Sequence, residues 1–523
     1  MQNLKNLLNN NITKTDYMDF LKCEKNVWLR KNKPYLFEGI QQGAYEGFIQ
    51  QEGNEVDVIA RDLFPDGLFI PSIEEDPISA TLKACGNKEG VIFQGTFTYR
   101  KFLTKADILV FDEDKNGYRL IEVKASTKLN ELTDTGKFKN STKRREYAND
   151  LAFQQIILEK NDIRVVSSEV MFLNSQYYRQ GDLDLNKLFE FADLSDEIDN
   201  VISEVRETVC YMEAYLDGPE LQGCGCIYKG RSAHCETFAY SNPDVPECSI
   251  HDLRKIGMKK KFLKGLVDNG ILEIKDLTDE MMLGDTNEYR ATQRLSTFVQ
   301  APVVDSKLLQ KELDSLEYPL VFLDYEGIAK ALPPIDGVKP WQQLPFEFVI
   351  EILNEDGTSD AIGFVGTCLN KNMLDDLMSE LLDQMSKKGS IIVWNQGYES
   401  KIHNNLAELY PQHKDFLMDL NDRMYDLEEI FSSKNIHVDH MTRGRSKLKY
   451  VLPAIQFEDP YKDLDIQDGG QAVVEWLKMI DTSYAEDVRK SIGRSLFDYC
   501  ALDAHAMLLI YKHLAYCCLE EDE

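Results

Sequence analysis

The sequence predicts an α/β protein made of three consecutive blocks. Its 523 residues exceed the usual size of one compact domain and suit two or three. The two long blocks, 1–245 and 301–523, each combine a strand hairpin with helices, an arrangement typical of layered α/β folds. The short block between them, 246–300, has a helical pattern.

The first block is predicted to hold a group of strands between two helical regions. Asn116-Gly117 is a hairpin turn signal between the last two strands. Helical sequence covers 13–31 and 147–160, and a cysteine-rich loop at 223–248 closes the block. The strands themselves are expected at 91–97, 106–111 and 118–126.

The second block is predicted to contain two helices joined through Gly257 and a third short element after Gly270. The third block opens with a buried strand, and a hairpin with the turn Asp356-Gly357 follows it. A helix and a further apolar strand come next, and the remainder is expected to be helical. These elements are strands at 319–327, 346–354, 360–366 and 390–394, and helices at 373–387 and 491–519.

The charge of the chain excludes a broadly basic nucleic-acid coat or polybasic membrane binder. There are 59 Lys and Arg residues against 89 Asp and Glu, a net charge of −30. Positive charge is concentrated in three segments, 136–145, 254–264 and 443–449, which we expect to contact nucleic acid. The candidate contacts are Lys143, Arg144, Arg145, Lys259, Lys260, Lys261, Arg443, Arg445 and Lys447.

Three absences in the sequence predict a cytoplasmic protein. No apolar run reaches the length of about 18 residues that a membrane span needs. The first residues, MQNLKNLLNNNITK, lack the apolar region of a secretory signal. Eleven cysteines without such a signal are expected to be reduced thiols or metal ligands rather than disulfides.

Three residues in the first block have the layout of a metal-dependent hydrolase. Asp107 starts one predicted strand, and Glu122 and Lys124 lie two apart on the next, so all three face the same side of the hairpin. Paired carboxylates hold a divalent cation that activates water, and a lysine beside them stabilises charge on a phosphate. A surface ion pair is the alternative interpretation.

This layout resembles the RecB-type nucleases of the PD-(D/E)XK superfamily. The resemblance extends to Gln154, at the position of a glutamine on the helix that follows the active strands. It also extends to EGNEVDVIARDLFPDG, which is similar to a first-helix motif with a further acidic ligand. Glu55 or Asp57 would supply that ligand, and Glu55 is slightly preferred.

The cysteines of the first block are a candidate metal site. Cys23 lies near the start of the chain, and the other three occur in CGCIYKGRSAHC as Cys224, Cys226 and Cys235. This distribution resembles the iron–sulfur RecB-type nucleases, which implies a [4Fe–4S] cluster. Four thiolates suit zinc equally. The spacing departs from the family's CxxC, so His234 or Cys248 are alternative ligands.

The third block carries a second acidic signature. Asp324 and Glu326 end a strand two residues apart, Asn395 and Glu399 follow the next apolar strand, and Tyr499 precedes Asp503 by one helical turn. The order resembles the DnaQ-like 3′–5′ exonucleases of the RNase H-like fold. That resemblance implies metal ligands at Asp324, Glu326, Glu399 and Asp503, and a water-orienting Tyr499. Glu399 departs from the aspartate usual in the family.

Other acidic and imidazole groups of this block are expected to have no catalytic role. Asp426 is predicted to be a solvated helix residue, although an auxiliary acid is the alternative. His437 and His440 lack further ligands at useful spacing, which favours a structural or solvent-exposed role.

The whole chain resembles a bacterial family in which a RecB-like nuclease with a cysteine cluster precedes a DnaQ-like domain of unknown function. The phrases LPPIDGVKPWQQLPFEF and RGRSKLKYVLPA carry this resemblance in the third block. In the second block, the segment around LVDNGI resembles a helix-hairpin-helix element.

These patterns predict a deoxyribonuclease that uses Mg²⁺ or Mn²⁺ and acts on single-stranded DNA ends through two modules. RNA is an alternative substrate. The chain has no P-loop, so a motor such as a helicase would come from a partner. The alternative function is a non-catalytic nucleic-acid-binding or assembly subunit of a repair or phage-defence complex.

Overall fold

Two mixed β-sheets, each flanked by helices, organise this α/β protein. The computed structural model describes residues 11–40, 43–71, 76–283, 285, 287–456 and 459–519. The first ten residues, on which the expected lack of a secretory signal partly depends, lie outside that set. None of the helices within the described ranges has the length and apolar character needed to cross a bilayer.

The first sheet belongs to the first block and has the order β2-β3-β4-β5-β6-β7, with β1 paired to β4. The predicted Asn116-Gly117 turn joins β4 to β5 as an antiparallel hairpin, and β6 then runs parallel to β5. The strands are β1 (Ile12–Thr13), β2 (Leu68–Phe69), β3 (Val91–Tyr99), β4 (Phe102–Asp112), β5 (Gly117–Thr127), β6 (Val165–Leu173) and β7 (Phe189–Asp193).

Helices cover both faces of this sheet. One face packs against α5 and α7 through a core that includes Phe153 and Val205, and the other packs against α3 through Val56 and Ala60. The helices are α1 (Lys14–Lys22), α2 (Glu24–Asn32), α3 (Ala44–Arg61), α4 (Pro77–Gly86), α5 (Ser141–Glu159), α6 (Leu185–Leu188), α7 (Ser195–Asp217) and α8 (Phe238–Ser241).

The second block is less regular than the sequence predicts. Its first expected helix is replaced by two short 3₁₀ turns, Ile250–Asp252 and Ile256–Met258, because Lys255 between them adopts a left-handed conformation with φ of 53°. Regular helices then follow as α9 (Lys260–Asp268), α10 (Asp279–Met282) and α11 (Glu288–Val299). A small core that includes Leu263 and Leu266 packs α9 against the 3₁₀ turns before it and the segment that follows it.

The second sheet belongs to the third block and has the order β11-β10-β9-β12-β13. Strand β10 is antiparallel to β9 and β11, whereas β12 is parallel to both β9 and β13. The strands are β9 (Leu320–Ala329), β10 (Gln343–Leu353), β11 (Ser359–Val365), β12 (Ile391–Val393) and β13 (Met424–Asp426); β8 (Val303–Val304) and β14 (His437–Val438) form a separate pair.

A long C-terminal helix crosses one face of the second sheet. Cys500 and Ala504 of this helix, α18, pack on Val349, while His403 of α14 bonds to Tyr325 from the other face. The helices are α12 (Ser306–Leu313), α13 (Lys371–Gln384), α14 (Gln396–Leu409), α15 (Lys414–Asp422), α16 (Leu448–Gln456), α17 (Gly469–Ile480) and α18 (Glu486–Leu519).

Helix α3 links the first block to the third. Phe48 in its first half is part of the third block's core, whereas Val56 in its second half packs under the first sheet. The carboxylate of Glu52 accepts the backbone N–H of Ala331 at 2.7 Å and pairs with Lys330 at 2.8 Å. The two sheets are therefore held by one helix that contacts both.

Candidate metal centres

Four residues predicted from the first block come together on β4, β5 and α5. The backbone N–H of Val123 donates to Asp107 at 3.0 Å, which ties this carboxylate to the neighbouring strand. The amide of Gln154 donates to Glu122 at 2.7 Å, and the ammonium of Lys124 donates to Glu122 at 2.6 Å. The predicted proximity of Asp107, Glu122, Lys124 and Gln154 is observed.

A second lysine, absent from the sequence prediction, enters this group from α1. The ammonium of Lys14 lies 2.5 Å from a carboxylate oxygen of Glu122 and 3.5 Å from one of Asp150. Lys124 also pairs with Asp150, at 3.0 Å. Lys14, Lys124, Glu122 and Asp150 thus form a closed network of ion pairs. We call this network, together with Asp107, the first carboxylate site.

The charges of this site fix its protonation. Burial works against ionisation of Glu122, but the ammonium groups of Lys124 and Lys14 outweigh it and hold its pKa well below the usual range. Burial and the charge of Glu122 raise the pKa of Asp107 to about 7. A divalent cation at Glu122 would have to compete with Lys14 and Lys124, because both ammonium groups contact Oε1 of this carboxylate.

The further acidic residue at this site is Asp57 rather than the preferred Glu55. The amide of Gln94 bridges the two carboxylates, at 3.3 Å from Asp57 and 3.3 Å from Asp107. Glu55, two residues away on α3, faces the third block and lies 3.6 Å from Lys330. Residues two apart on a helix point in different directions, which the sequence motif alone does not resolve.

The four predicted cysteines form one compact group. Cys23 separates α1 from α2, and the other three lie around two short 3₁₀ turns, Gly225–Tyr228 and Arg231–Ala233. Their sulfur atoms all lie within 4.8 Å of one another, with Cys224 and Cys235 3.9 Å apart. This group of Cys23, Cys224, Cys226 and Cys235 can bind a metal.

The four thiols share protons unequally: hydrogen bonds with Cys224 raise the pKa values of Cys23 and Cys235, so Cys224 is the thiolate of the cluster. Hydrogen bonds from Cys226, Cys23 and Cys235 hold the pKa of Cys224 well below its usual range. The amide of Asn242 also donates to Cys224, at 3.2 Å. The alternative ligands lie outside the group, since His234 stacks on Phe238 and Cys248 is exposed.

The second carboxylate site is formed by strand β9 and helix α18. Oxygen atoms of Asp324, Glu326 and Asp503 lie within 4.8 Å of one another, so one cation can contact all three. Gly469 at the start of α17 permits the approach of Glu326, because a Cβ there would lie 3.2 Å from its carboxylate oxygens.

The three acidic groups of the second site resist ionisation when no cation is bound. Burial, with the charge of Asp503, raises the pKa of Asp324 well above its usual range, and burial with Asp324 does the same for Glu326. Burial raises the pKa of Asp503 to about 6, although bonds from two tyrosines and the charge of Lys449 oppose the rise. A bound divalent cation would keep these carboxylates ionised at neutral pH.

Two tyrosine hydroxyls contact Asp503. Tyr499, the predicted water-orienting residue, bonds to it from one turn earlier on α18. Tyr461 donates to the same carboxylate at 2.5 Å. Burial raises the pKa of both phenols, so both stay protonated as donors. Tyr461 was missed because it comes from a separate turn, Pro460–Asp463, with no spacing relation to Asp503.

Two further buried glutamates, Glu347 and Glu399, lie near this site but outside the group of three carboxylates. Glu399, a predicted ligand, is buried, and its Oε2 has no hydrogen-bond partner among the described residues. Its carboxylate lies outside the group of three, although the charge of Asp324 raises its pKa in addition to the effect of burial. Glu347, which pairs across the sheet with Glu326, was not predicted and is also buried and unbonded among the described side chains.

Asp426, His437 and His440, which were predicted to have no catalytic role, have the following surroundings in the structure. Asp426 ends strand β13 rather than lying on a helix, and its carboxylate accepts the backbone N–H groups of Asn395 and Gln396 at 3.2 and 3.0 Å. The buried His437 has its pKa lowered by burial to about 4. Neither His437 nor His440 joins a metal-ligating group within the described ranges.

The predicted nucleic-acid contacts differ in accessibility. Arg144 is buried, pairs with Glu197 at 2.5 Å and lies over the ring of Phe138, so its guanidinium is already engaged within the protein. Arg145 is exposed and pairs with Glu204. The remaining candidates are exposed or half-buried: Lys143, Lys259, Lys260, Lys261, Arg443, Arg445 and Lys447.

One comparison with known proteins bears on the second carboxylate site. No curated protein matches the chain. Residues 321–446 match the model of a family described as a domain of unknown function, DUF2779. The chain is therefore similar to DUF2779 over a segment that contains Asp324, Glu326 and Glu399 and ends before Tyr499 and Asp503.

Proposed function

We propose that this protein is a metal-dependent nuclease that hydrolyses phosphodiester bonds in DNA at single-stranded ends. The observation that carries the proposal is the convergence of Asp324, Glu326 and Asp503 on one point, with no lysine or arginine ion-paired to them among the described residues. Such a group suits a hard divalent cation such as Mg²⁺ or Mn²⁺.

The second carboxylate site would hold the cation through Asp324, Glu326 and Asp503. When bound, the cation would supply an activated water and offset charge on the scissile phosphate. The two phenols orient Asp503, and Tyr499 is also positioned to orient a water at that carboxylate. Burial raises the pKa values of Glu399 and Glu347, so these carboxyls would ionise only when a nearby cation offsets their charge, and would then help to retain that cation.

The strand arrangement supports an RNase H-like fold for the third block and a PD-(D/E)XK fold for the first. In the third block, β10 alone runs against the other four strands of the sheet, an order expected of an RNase H-like fold. In the first block, Asp107, Glu122, Lys124 and Gln154 meet at one point of the sheet. Both assignments are part of the proposal.

A non-catalytic role for the first block is a second candidate, favoured by one observation. Lys14 and Lys124 already compensate the charge of Glu122, so this site is complete without a cation. A first block of this kind would bind or position nucleic acid, or join a repair or phage-defence assembly, while the third block cleaves. Lys14 would then act as an internal cation.

The proposal for the cysteines is a single metal ion or an iron–sulfur cluster. Four thiolates at about 2.3 Å from one tetrahedral zinc lie about 3.8 Å apart, close to the 3.9 Å between Cys224 and Cys235. A [4Fe–4S] cluster would require the sulfur atoms to move apart. In either case the metal would fasten Cys23, between α1 and α2, to the loop that follows α7.

Digestion of single-stranded DNA tests the nuclease proposal. Oligonucleotides labelled at the 5′ or the 3′ end are incubated with Mg²⁺ or Mn²⁺ and with wild type, Asp324→Ala or Glu122→Ala. We expect loss of product with Asp324→Ala and retention with Asp498→Ala, a control at an exposed residue of α18, the helix that carries Asp503. Unchanged cleavage by both site variants would overturn the proposal, and RNA cleavage in place of DNA would reassign the substrate.

A further inference from the structure

A basic groove lies where the second block meets the third. It is a cleft of about 570 Å³ lined by 251–257 of the second block and by 443–447, 449 and 450 of the third, with 230–232 of the first block at its edge. Asp252 is the one carboxylate among the lining residues, and the guanidinium of Arg231 binds it through two contacts. In a chain with a net charge of −30, such a cleft is an unusual concentration of positive charge.

Four cations of the basic groove are available to a ligand. Lys255, Arg445, Lys447 and Lys449 line the groove and form no ion pair with any carboxylate in the described part of the chain. Arg445 lies with its guanidinium 4.5 Å from the ring centre of Tyr450, which offers a flat surface as well as charge. Alternating cations and aromatic faces are typical of sites that bind single strands.

Two close contacts hold the loop 443–447 of the groove against its neighbours. Gly444 has φ of +68°, and a Cβ there would lie 2.3 Å from the carbonyl oxygen of Asp252, so the two walls touch at a point that only glycine permits. The indole of Trp394 donates to the carbonyl of Ser446 at 3.0 Å, which fixes the same loop to the end of β12. The backbone between Arg443 and Lys447 is therefore fixed at two points, which limits the ordering that a ligand would have to impose on this loop.

The groove leads toward the second carboxylate site. Lys449, at the start of α16, lines the groove, and α16 packs directly against α18, the helix that carries Asp503. A chain that follows the cations from the second block would thus reach the three carboxylates. Lys259, Lys260 and Lys261, predicted from the sequence as contacts, are not among the lining residues.

We infer that the basic groove binds the phosphodiester backbone of a single-stranded nucleic acid and directs it toward Asp503. This inference rests on the proposed function of the second carboxylate site. A cleft of about 570 Å³ falls in the range of small-ligand pockets, about 300–1,000 Å³, and so suits the nucleotides of one strand. Phosphates contact Lys255, Arg445, Lys447 and Lys449, and a base stacks on Tyr450 or Arg445.

Binding at varied salt concentration tests this inference separately from catalysis. A fluorescent single strand is titrated with wild type and with Lys255→Ala/Arg445→Ala/Lys447→Ala, with Ca²⁺ replacing Mg²⁺ and the oligonucleotide checked for integrity. For single strands, log K falls as log salt rises, and each phosphate contact adds about 0.7 to the steepness of that fall. The triple variant loses three contacts, so its slope should be less steep than that of wild type by about 2. The control Lys387→Ala/Lys388→Ala, at exposed lysines of the third block, should keep the wild-type slope.

Each outcome decides the inference. An unchanged slope in the triple variant, no binding by wild type, or equal affinity for a duplex of the same sequence would overturn it. A reduced slope in a protein that never cleaves would support the groove and refute the nuclease proposal. A matching thermal transition for the triple variant confirms that it folds, and single Lys447→Ala, with an expected slope change of about 0.7, replaces it otherwise.

Discussion

Replacing Lys14 by methionine tests whether the first carboxylate site uses a lysine as an internal cation. The ammonium lies 2.5 Å from Glu122, whose side chain is 3% exposed, so the change removes one partner of a buried ion pair. Such a loss costs about 3–5 kcal/mol, and we expect the lower end because Lys124 still pairs with Glu122. For a domain of the size of the first block, 1–245, a loss of about 3 kcal/mol in the free energy of unfolding corresponds to a fall of roughly 6–12 °C in Tm.

A divalent cation should reverse most of this loss. With Lys14 gone, the cation can occupy the vacated position beside Glu122, and a free concentration of about 100 times its Kd returns about 2.7 kcal/mol. The assay is thermal unfolding of wild type and Lys14→Met in EDTA and in Mn²⁺. Lys14→Arg, which keeps the charge, should stay close to wild type.

The matched control is Lys101→Met, which removes an exposed pair with Asp217 at side-chain exposures of 50% and 58%. Exposed pairs contribute about 0–1 kcal/mol, so this variant should lose little stability and gain no more from Mn²⁺ than wild type does. A Tm of Lys14→Met equal to wild type in EDTA, or an equal rise in both proteins with Mn²⁺, would refute the reasoning.

Three further predictions concern the other centres. Because burial raises the pKa of Asp503 from 3.8 to about 6, the metal-free fold binds a proton that the unfolded chain releases, and its stability falls as the pH rises through that window. Asp503→Asn should therefore be more stable than wild type by about 3 kcal/mol at pH 7, but not at pH 4, in urea titrations. Tyr499→Phe should lower kcat about 100-fold with Mn²⁺ affinity unchanged, since it removes a positioning bond; equal losses in both would contradict this role. Cys224→Ser should lose bound metal by elemental analysis and melt at a lower temperature, whereas exposed Cys210→Ser should do neither.

The sequence predicts best the features that depend on short spacing. Asn116-Gly117 marks the β4–β5 hairpin, and alternation along β5 places Glu122 and Lys124 on one face. The i to i+4 relation of Tyr499 and Asp503 holds on α18 for the same reason. Asp150 could have been predicted in this way, because it precedes Gln154 by one turn and accepts its amide at 3.0 Å.

Features that depend on distant segments were beyond sequence reasoning. Lys14 reaches Glu122 across 108 residues, and Tyr461 reaches Asp503 from a separate turn. The direction in which each side chain leaves α3 places Asp57, rather than Glu55, close to Gln94. The burial of Arg144 likewise depends on packing that its sequence neighbours do not reveal. The basic groove likewise joins segments whose convergence is set by packing at Gly444 rather than by any local pattern.

The central claim is that Asp324, Glu326 and Asp503 hold a catalytic divalent cation, and Mn²⁺ binding tests it most directly. Binding is measured by the electron paramagnetic resonance of free Mn²⁺ in wild type, Asp324→Asn and the control Asp498→Asn. Asp324→Asn should lose at least one bound Mn²⁺ per chain, while Asp498→Asn should retain the wild-type number. Equal Mn²⁺ binding by Asp324→Asn and wild type would contradict it.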